Sequence, residues 1–128
     1  MAKKAVLLDN APKPAGPYSH GVVAGGFLYT AGFGPQDPAT GEVVPGAVYE
    51  QTHQVLNNVE AVLAAHGATL DDVVKVTTHL ERLDRDFAEY NRAYGERFNE
   101  PYPVRTTVGS DLANILVEID VVAYIGDK

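Results

Sequence analysis

The stretch Pro101-Tyr102-Pro103-Val104-Arg105-Thr106-Thr107-Val108 constrains this chain more than any other. Each proline fixes its own φ and pushes the residue before it toward extended backbone. A β-branched run follows, so the spacing predicts a strand with Val104, Thr106 and Val108 on one face and Arg105 and Thr107 on the other. An arginine inside such a strand has two readings. One is an exposed edge charge. The other is a fixed fork for a carboxylate or phosphate, because guanidinium matches those anions with two parallel hydrogen bonds.

The segments around it decide what that strand can pair with. Ala5–Leu8 reads as a short first strand, and Asn10–Pro17 is too rich in turn residues to be helix. Tyr18–Ala24 and Phe27–Ala31 read as two strands joined at Gly25-Gly26, a two-residue hairpin signal. Gly32–Gly46 is a glycine- and proline-rich loop, and long irregular loops in compact domains are often functional.

Val48, Thr52, Val55, Val59 and Val62, with Leu56 and Leu63, draw an apolar stripe at helical spacing that Gly67 stops. Thr69–Asp72 reads as a capped single turn. Val73–Leu80 reads as a strand that sets Val74, Val76, Thr78 and Leu80 against Lys75, Thr77 and His79. A second helix is expected from a capping box at Asp86 and Glu89, with Phe87, Tyr90, Tyr94 and Phe98 as its buried stripe and Asn91 beside them. The final strand carries Ile115, Val117, Ile119, Val121 and Ala123 on one face, and Leu116, Glu118, Asp120, Val122 and Tyr124 on the other.

Three strands, a helix, a strand, a helix and two strands make an α+β sandwich, with both helices packed on one face of a mixed β-sheet. If the more apolar parity of each strand faces the helices, Val104, Thr106 and Val108 point inward. Arg105, Thr107, Glu118 and Asp120 then share the uncovered face with Leu116, Val122 and Tyr124. A half-apolar, half-charged open face signals a subunit interface or a site.

At 128 residues the chain is expected to be one domain spanning 1–128. A formal charge of −7 opposes binding to a nucleic-acid backbone. No apolar run reaches membrane-spanning length. The absence of cysteine excludes a disulfide frame, a thiol nucleophile and a thiolate metal site. His20, His53, His66 and His79 lack metal-ligand spacing, and the glycines at 32, 34, 41 and 46 are followed by no lysine–hydroxyl pair, so neither a metal nor a phosphate loop is expected. The opening Met1–Leu8 run is charged and then only briefly apolar, shorter than a signal peptide needs, and a cytoplasmic location is expected.

Several short motifs run in order along nearly the whole chain: Ala15-Gly16-Pro17-Tyr18-Ser19, Tyr29-Thr30-Ala31-Gly32, Asp37-Pro38-Ala39-Thr40-Gly41, Gln51-Thr52, Asn57-Asn58-Val59, Phe87-Ala88-Glu89-Tyr90-Asn91, Pro103-Val104-Arg105 and Val117-Glu118-Ile119. In this order and spacing they resemble the Rid/YjgF family of reactive intermediate deaminases. The resemblance implies a chorismate-mutase-like fold and a homotrimer with sites between subunits. It also implies hydrolysis of 2-imino acids, or their enamine tautomers, to 2-keto acids and ammonia, without a cofactor.

By that resemblance Arg105 clamps the substrate carboxylate, and Glu118 positions the water with help from the carbonyl of Thr107. Tyr18 lines the pocket and Asn91 lies in the wider site. Ala31, Gly32 and Phe33 occupy the family's Ser-Gly-Gln run, so the serine hydroxyl is replaced by the methyl of Ala31. Phe33 is then expected to narrow the pocket or to favour an aromatic substrate. Thr107 stands where the family commonly has cysteine, a mild change because a backbone carbonyl survives substitution. The alternative to catalysis is a binding protein for small carboxylic acids. Ribonuclease action, suggested by an older family label, is opposed by the acidic charge and the lack of a basic aromatic patch.

Overall fold

The computed structural model describes residues 2–126. Its elements are β1 (Lys4–Val6), β2 (Gly21–Ala24), β3 (Phe27–Thr30), α1 (Val48–Ala64), a single 3₁₀ turn (Leu70–Asp72), β4 (Val73–Leu80), α2 (Leu83–Arg97), β5 (Val104–Gly109) and β6 (Val117–Tyr124). They form one six-stranded sheet in the order β1-β2-β3-β6-β4-β5, antiparallel throughout except for the β4–β5 pair. A parallel pair needs a crossover, and α2 supplies it. The expected α+β sandwich on a mixed sheet is what forms.

The β2–β3 hairpin turns at Gly25 (φ 58°) and Gly26 (φ 83°), the two left-handed positions that a tight turn of this hand requires. Val55, Leu56, Val59, Val62 and Leu63 of α1 are fully buried, and meet Leu28, Val76, Val117, Ile119 and Ala123 from the sheet. Truncating one of these leucines to alanine is expected to cost about 2–5 kcal/mol. Three polar residues interrupt the buried face of α1, and two of them tie down loops. Asn58 donates to the carbonyls of Gly34 and Gln36 at 3.0 and 2.9 Å, and Gln51 accepts from the Leu116 amide at 2.9 Å.

The structure differs from the expectations at several points. β2 begins at Gly21 because the residues before it are held otherwise: the Tyr18 amide donates to Gly16, and the His20 ring bonds across to the first segment. A register shift between Val73 and Lys75 breaks the alternation of β4 and leaves Val74 exposed. Helix α2 starts at Leu83, so Asp86 is not its cap. Asp86 is buried in the first turn and takes two hydrogen bonds from Arg85, at 2.7 and 3.0 Å. Phe87, placed on the buried stripe, is 40% exposed.

The largest correction concerns β5. Its parallel register sets Arg105 level with Val76 and Thr107 level with Thr78. Val76 and Thr78 are fully buried beneath the helices, so Arg105 and Thr107 face the helix layer. Val104, Thr106 and Val108 point to the open face, where Val104 is 67% exposed. β6 keeps the expected parity, with Val117, Ile119, Val121 and Ala123 inward and Glu118 outward. Choosing the inward face by apolarity fails on β5, because register with β4 overrides the strand's own pattern.

Candidate active site

Arg105 lies under α2. Its guanidinium carbon is 4.6 Å from the ring centroid of Tyr94, 5.4 Å from that of Tyr90 and 5.8 Å from that of Phe87. These rings recur at helical spacing along α2 and present their π faces to the cation. Tyr90 is held in place by a 2.7 Å hydrogen bond between its hydroxyl and Thr78. Among the described residues no carboxylate pairs with Arg105. A partly buried guanidinium with unspent donors has the chemistry to take an anion.

A cavity of about 340 Å³ opens beside it, lined by Asn91, Tyr94, Gly95, Tyr102, Pro103 and Arg105. The Tyr94 side chain is buried and its hydroxyl has no partner; Thr107 Oγ1 is likewise buried and unpaired. Burial pushes the Tyr94 phenol up to about 12, against a smaller opposing effect of Arg105. Tyr94 is therefore a neutral hydrogen-bond donor at any physiological pH.

Glu118 occupies a second cavity on the open face, of about 480 Å³, with Tyr18, Ala31 and Gly32 among its lining residues. The local backbone makes room for it. Tyr29 pairs with Val122 and Phe33 with Ile119, so residues 30–32 oppose only residues 120 and 121. Thr30 Oγ1 accepts the Val121 amide that this bulge leaves free, at 3.0 Å. Ala31 and Gly32 thus stand out of the ladder, above the Glu118 carboxylate. A Cβ on Gly32 would lie 2.7 Å from Glu118 Oε2, so glycine is what permits this approach. Tyr18 accepts the Ala15 amide on its hydroxyl oxygen at 3.0 Å, which leaves its own proton to be donated.

The two groups of residues do not meet within this chain. Tyr18, Ala31, Gly32 and Glu118 gather on the open face, whereas Arg105, Asn91 and Thr107 belong to the helix side and the far edge of the sheet. Phe33 lines a further cavity, of about 410 Å³, together with Tyr18, Gly32 and Glu118. Its ring is 5% exposed and stacks on His20 with centroids 5.9 Å apart, so it braces the loop from behind.

His20 was legible only as a histidine without metal spacing. It is buried, takes the Leu8 amide on Nδ1 at 2.9 Å and donates from Nε2 to the Pro12 carbonyl at 2.7 Å, pinning the loop that carries Tyr18. Tyr94 and Gly95 line the Arg105 cavity but belong to none of the family motifs. The signal for Tyr94 was the aromatic stripe of α2, which reads as core and is core, but also seats the arginine.

Known proteins share this arrangement of elements along nearly the whole chain. Residues 8–125 match the model of the family described as Endoribonuclease L-PSP. A RutC family protein of Pyrococcus horikoshii is 46% identical over 124 residues, which is 95% of this chain and 98% of that protein. A 2-iminobutanoate/2-iminopropanoate deaminase of Dermatophagoides farinae is 36% identical over 125 residues, 96% of this chain and 97% of its own length. RidA from an Antarctic Psychrobacter superposes with a TM-score of 0.89 at 35% identity, over 95% of this chain and 99% of that one. The matched span, the identities and the superposed sheet agree, and the chain belongs to the Rid/YjgF family.

Proposed function

We propose that this protein hydrolyses 2-imino acids, or their enamine tautomers, to 2-keto acids and ammonia, acting as a homotrimer with each site shared by two protomers. The observation that carries the reading is Arg105: a guanidinium seated on aromatic faces, beside a cavity, with no carboxylate partner among the described residues. The 36% identical relative bearing the deaminase name supports the same chemistry.

An imine carbon needs a water, a proton acceptor and an anchor at the adjoining carboxylate. Arg105 holds the carboxylate through two parallel hydrogen bonds. Glu118 takes a proton from water as the water oxygen adds to C2 and returns it to the imine nitrogen. The carbinolamine hydroxyl proton then passes by the same carboxylate to nitrogen, the C2–N bond breaks, and ammonia leaves as the C2 carbonyl forms. The Thr107 carbonyl helps to hold the water, and the free Tyr18 hydroxyl proton faces the reacting centre; Asn91 lies in the wider site. Because Arg105 and Glu118 leave opposite faces of one sheet, the reading requires Glu118 from a neighbouring protomer. Exposed Val104 and Tyr124 supply the apolar surface that a neighbour covers.

The test is direct observation of imine disappearance and ammonia release from freshly generated 2-iminopropanoate, with Arg105→Ala as control. Unchanged decay of the imine in the presence of protein refutes the reading. One observation favours a second reading, a binding protein for small 2-keto acids: Ala31 places a methyl where the family resemblance implies a hydroxyl. Keto-acid binding through Arg105 without imine turnover decides for it. Ribonuclease action finds no support in a net charge of −7. The site of action in this reading is the cytoplasm, with neither cofactor nor nucleic acid involved. No helix among the described residues is long and apolar enough to cross a membrane.

A further inference from the structure

Gly95 is a glycine that the fold does not need. It lies inside α2, two residues before Arg97, without the left-handed φ of a helix-stopping glycine. A Cβ built there meets nothing within 4 Å. Neither backbone conformation nor packing calls for glycine, and glycine within a helix destabilises it relative to alanine. Yet Gly95 faces the cavity beside Arg105, one turn on from Asn91.

We infer that Gly95 keeps open a side-chain subsite for bulky, aromatic 2-imino or 2-keto acids, with the carboxylate on Arg105 and the side chain running between α2 and Tyr102. This rests on the reading of Arg105 as the carboxylate anchor. A cavity of about 340 Å³ falls at the lower end of the range for small-molecule pockets and exceeds what a three-carbon acid fills. Its walls suit an aromatic group: Pro103 and exposed Tyr102 line it, with Tyr94 fixed in the wall by Arg105 and by stacking on Phe98. A Cβ at position 95 meets nothing within 4 Å, so a side chain there adds bulk to the cavity wall that Gly95 forms.

The experiment measures binding of pyruvate and of phenylpyruvate to the full-length protein and to its Gly95→Ala and Gly95→Leu variants, by calorimetry, with melting temperature and light scattering alongside. Gly95→Ala is expected to raise the melting temperature by roughly 1–4 °C, which separates a subsite effect from misfolding. Wild type is expected to prefer phenylpyruvate, and Gly95→Leu to lower the phenylpyruvate-to-pyruvate affinity ratio by roughly tenfold or more. An unchanged ratio in Gly95→Leu overturns the inference, as does a wild-type preference for pyruvate. A change in oligomeric state on substitution also overturns it, since position 95 is then kept bare for a neighbouring protomer. If the ratio shifts but no imine is hydrolysed, the subsite stands and the deaminase reading falls. If neither acid binds wild type, both fall.

Discussion

Arg105 and Glu118 project from opposite faces of the same sheet. Arg105 is level with buried Val76 on β4, whereas Glu118 is level with His79, one residue before buried Leu80, and points to the uncovered side. In a sheet with a two-residue side-chain period, no rotamer brings two such residues to one small substrate. A site that uses both must be assembled from two chains, and the predictions begin there.

Mixing inactive subunits should restore activity. Arg105→Ala and Glu118→Gln each spoil a different half of the site, so subunits unfolded and refolded together at equal ratio contain some interfaces with both halves intact. Random assembly should recover roughly a quarter of wild-type activity. Recovery no greater than the sum of the separate variants would falsify the shared-site arrangement. Val104→Glu, which buries a charge in any contact on the open face, should shift the assembly toward monomer in light scattering without lowering the helix content.

Removing the anchor should cost most of the rate. A hydrogen bond to a charged group contributes about 1.5–3 kcal/mol and a bidentate pair at least the upper end, so Arg105→Ala should lower kcat/KM by roughly a hundredfold or more. Arg105→Lys keeps the charge but loses the fork and should recover only part of that. A variant with wild-type kcat/KM returns Arg105 to the role of an ordinary strand charge.

The approach of Gly32 to Glu118 can be tested from either side. Glu118→Gln keeps the shape and removes the proton acceptor, so kcat should fall more than KM changes. Gly32→Ala puts a methyl 2.7 Å from Oε2 and must move the carboxylate. Displacements near 1 Å cost up to about a hundredfold in well-positioned sites, so a kcat loss of roughly tenfold or more is expected with little change in melting temperature. Steady-state kinetics on 2-iminopropanoate read both. Full activity in Gly32→Ala argues against Glu118 as the base.

Ala31→Ser should raise turnover of 2-iminopropanoate if the missing hydroxyl limits the reaction. Ala31 stands above the Glu118 cavity with its amide bonded to the His20 carbonyl at 2.9 Å, so a serine there reaches the cavity without moving the backbone. A lower rate in the variant shows instead that the methyl suits this protein's own substrate.

Asp120 should make the folded protein less stable as pH rises. Its partly buried carboxyl is held above the ordinary 3.8 by desolvation, which the charges of His79 and Lys75 only partly offset. A raised carboxyl favours the folded state while protonated. That stability is fully present below 3.8 and is lost as pH rises through the folded value. Asp120→Asn lacks this loss, so its urea midpoint should move above that of wild type between pH 3.5 and pH 7, by more at the higher pH. A constant difference across that range rules the effect out.

The two helices, the hairpin and the alternation of β6 were legible in the sequence, because each is a local pattern. The stripe from Val48 to Leu63 repeats at helical spacing, Gly25-Gly26 admits few turns, and Val117 to Ala123 alternates without a break. The family motifs also marked Arg105, Glu118 and Tyr18 without reference to geometry. Which way Arg105 points was not legible. Val104, Thr106 and Val108 are the more apolar parity, yet they face outward, because parallel pairing with β4 and the rings of Tyr90 and Tyr94 determine the inward side. The bulge that lifts Ala31 and Gly32 over Glu118, the buried hydrogen bonds of His20 and the empty space around Gly95 have the same origin. Each depends on a partner outside its own element, and a local pattern carries no information about how separate segments are set against one another.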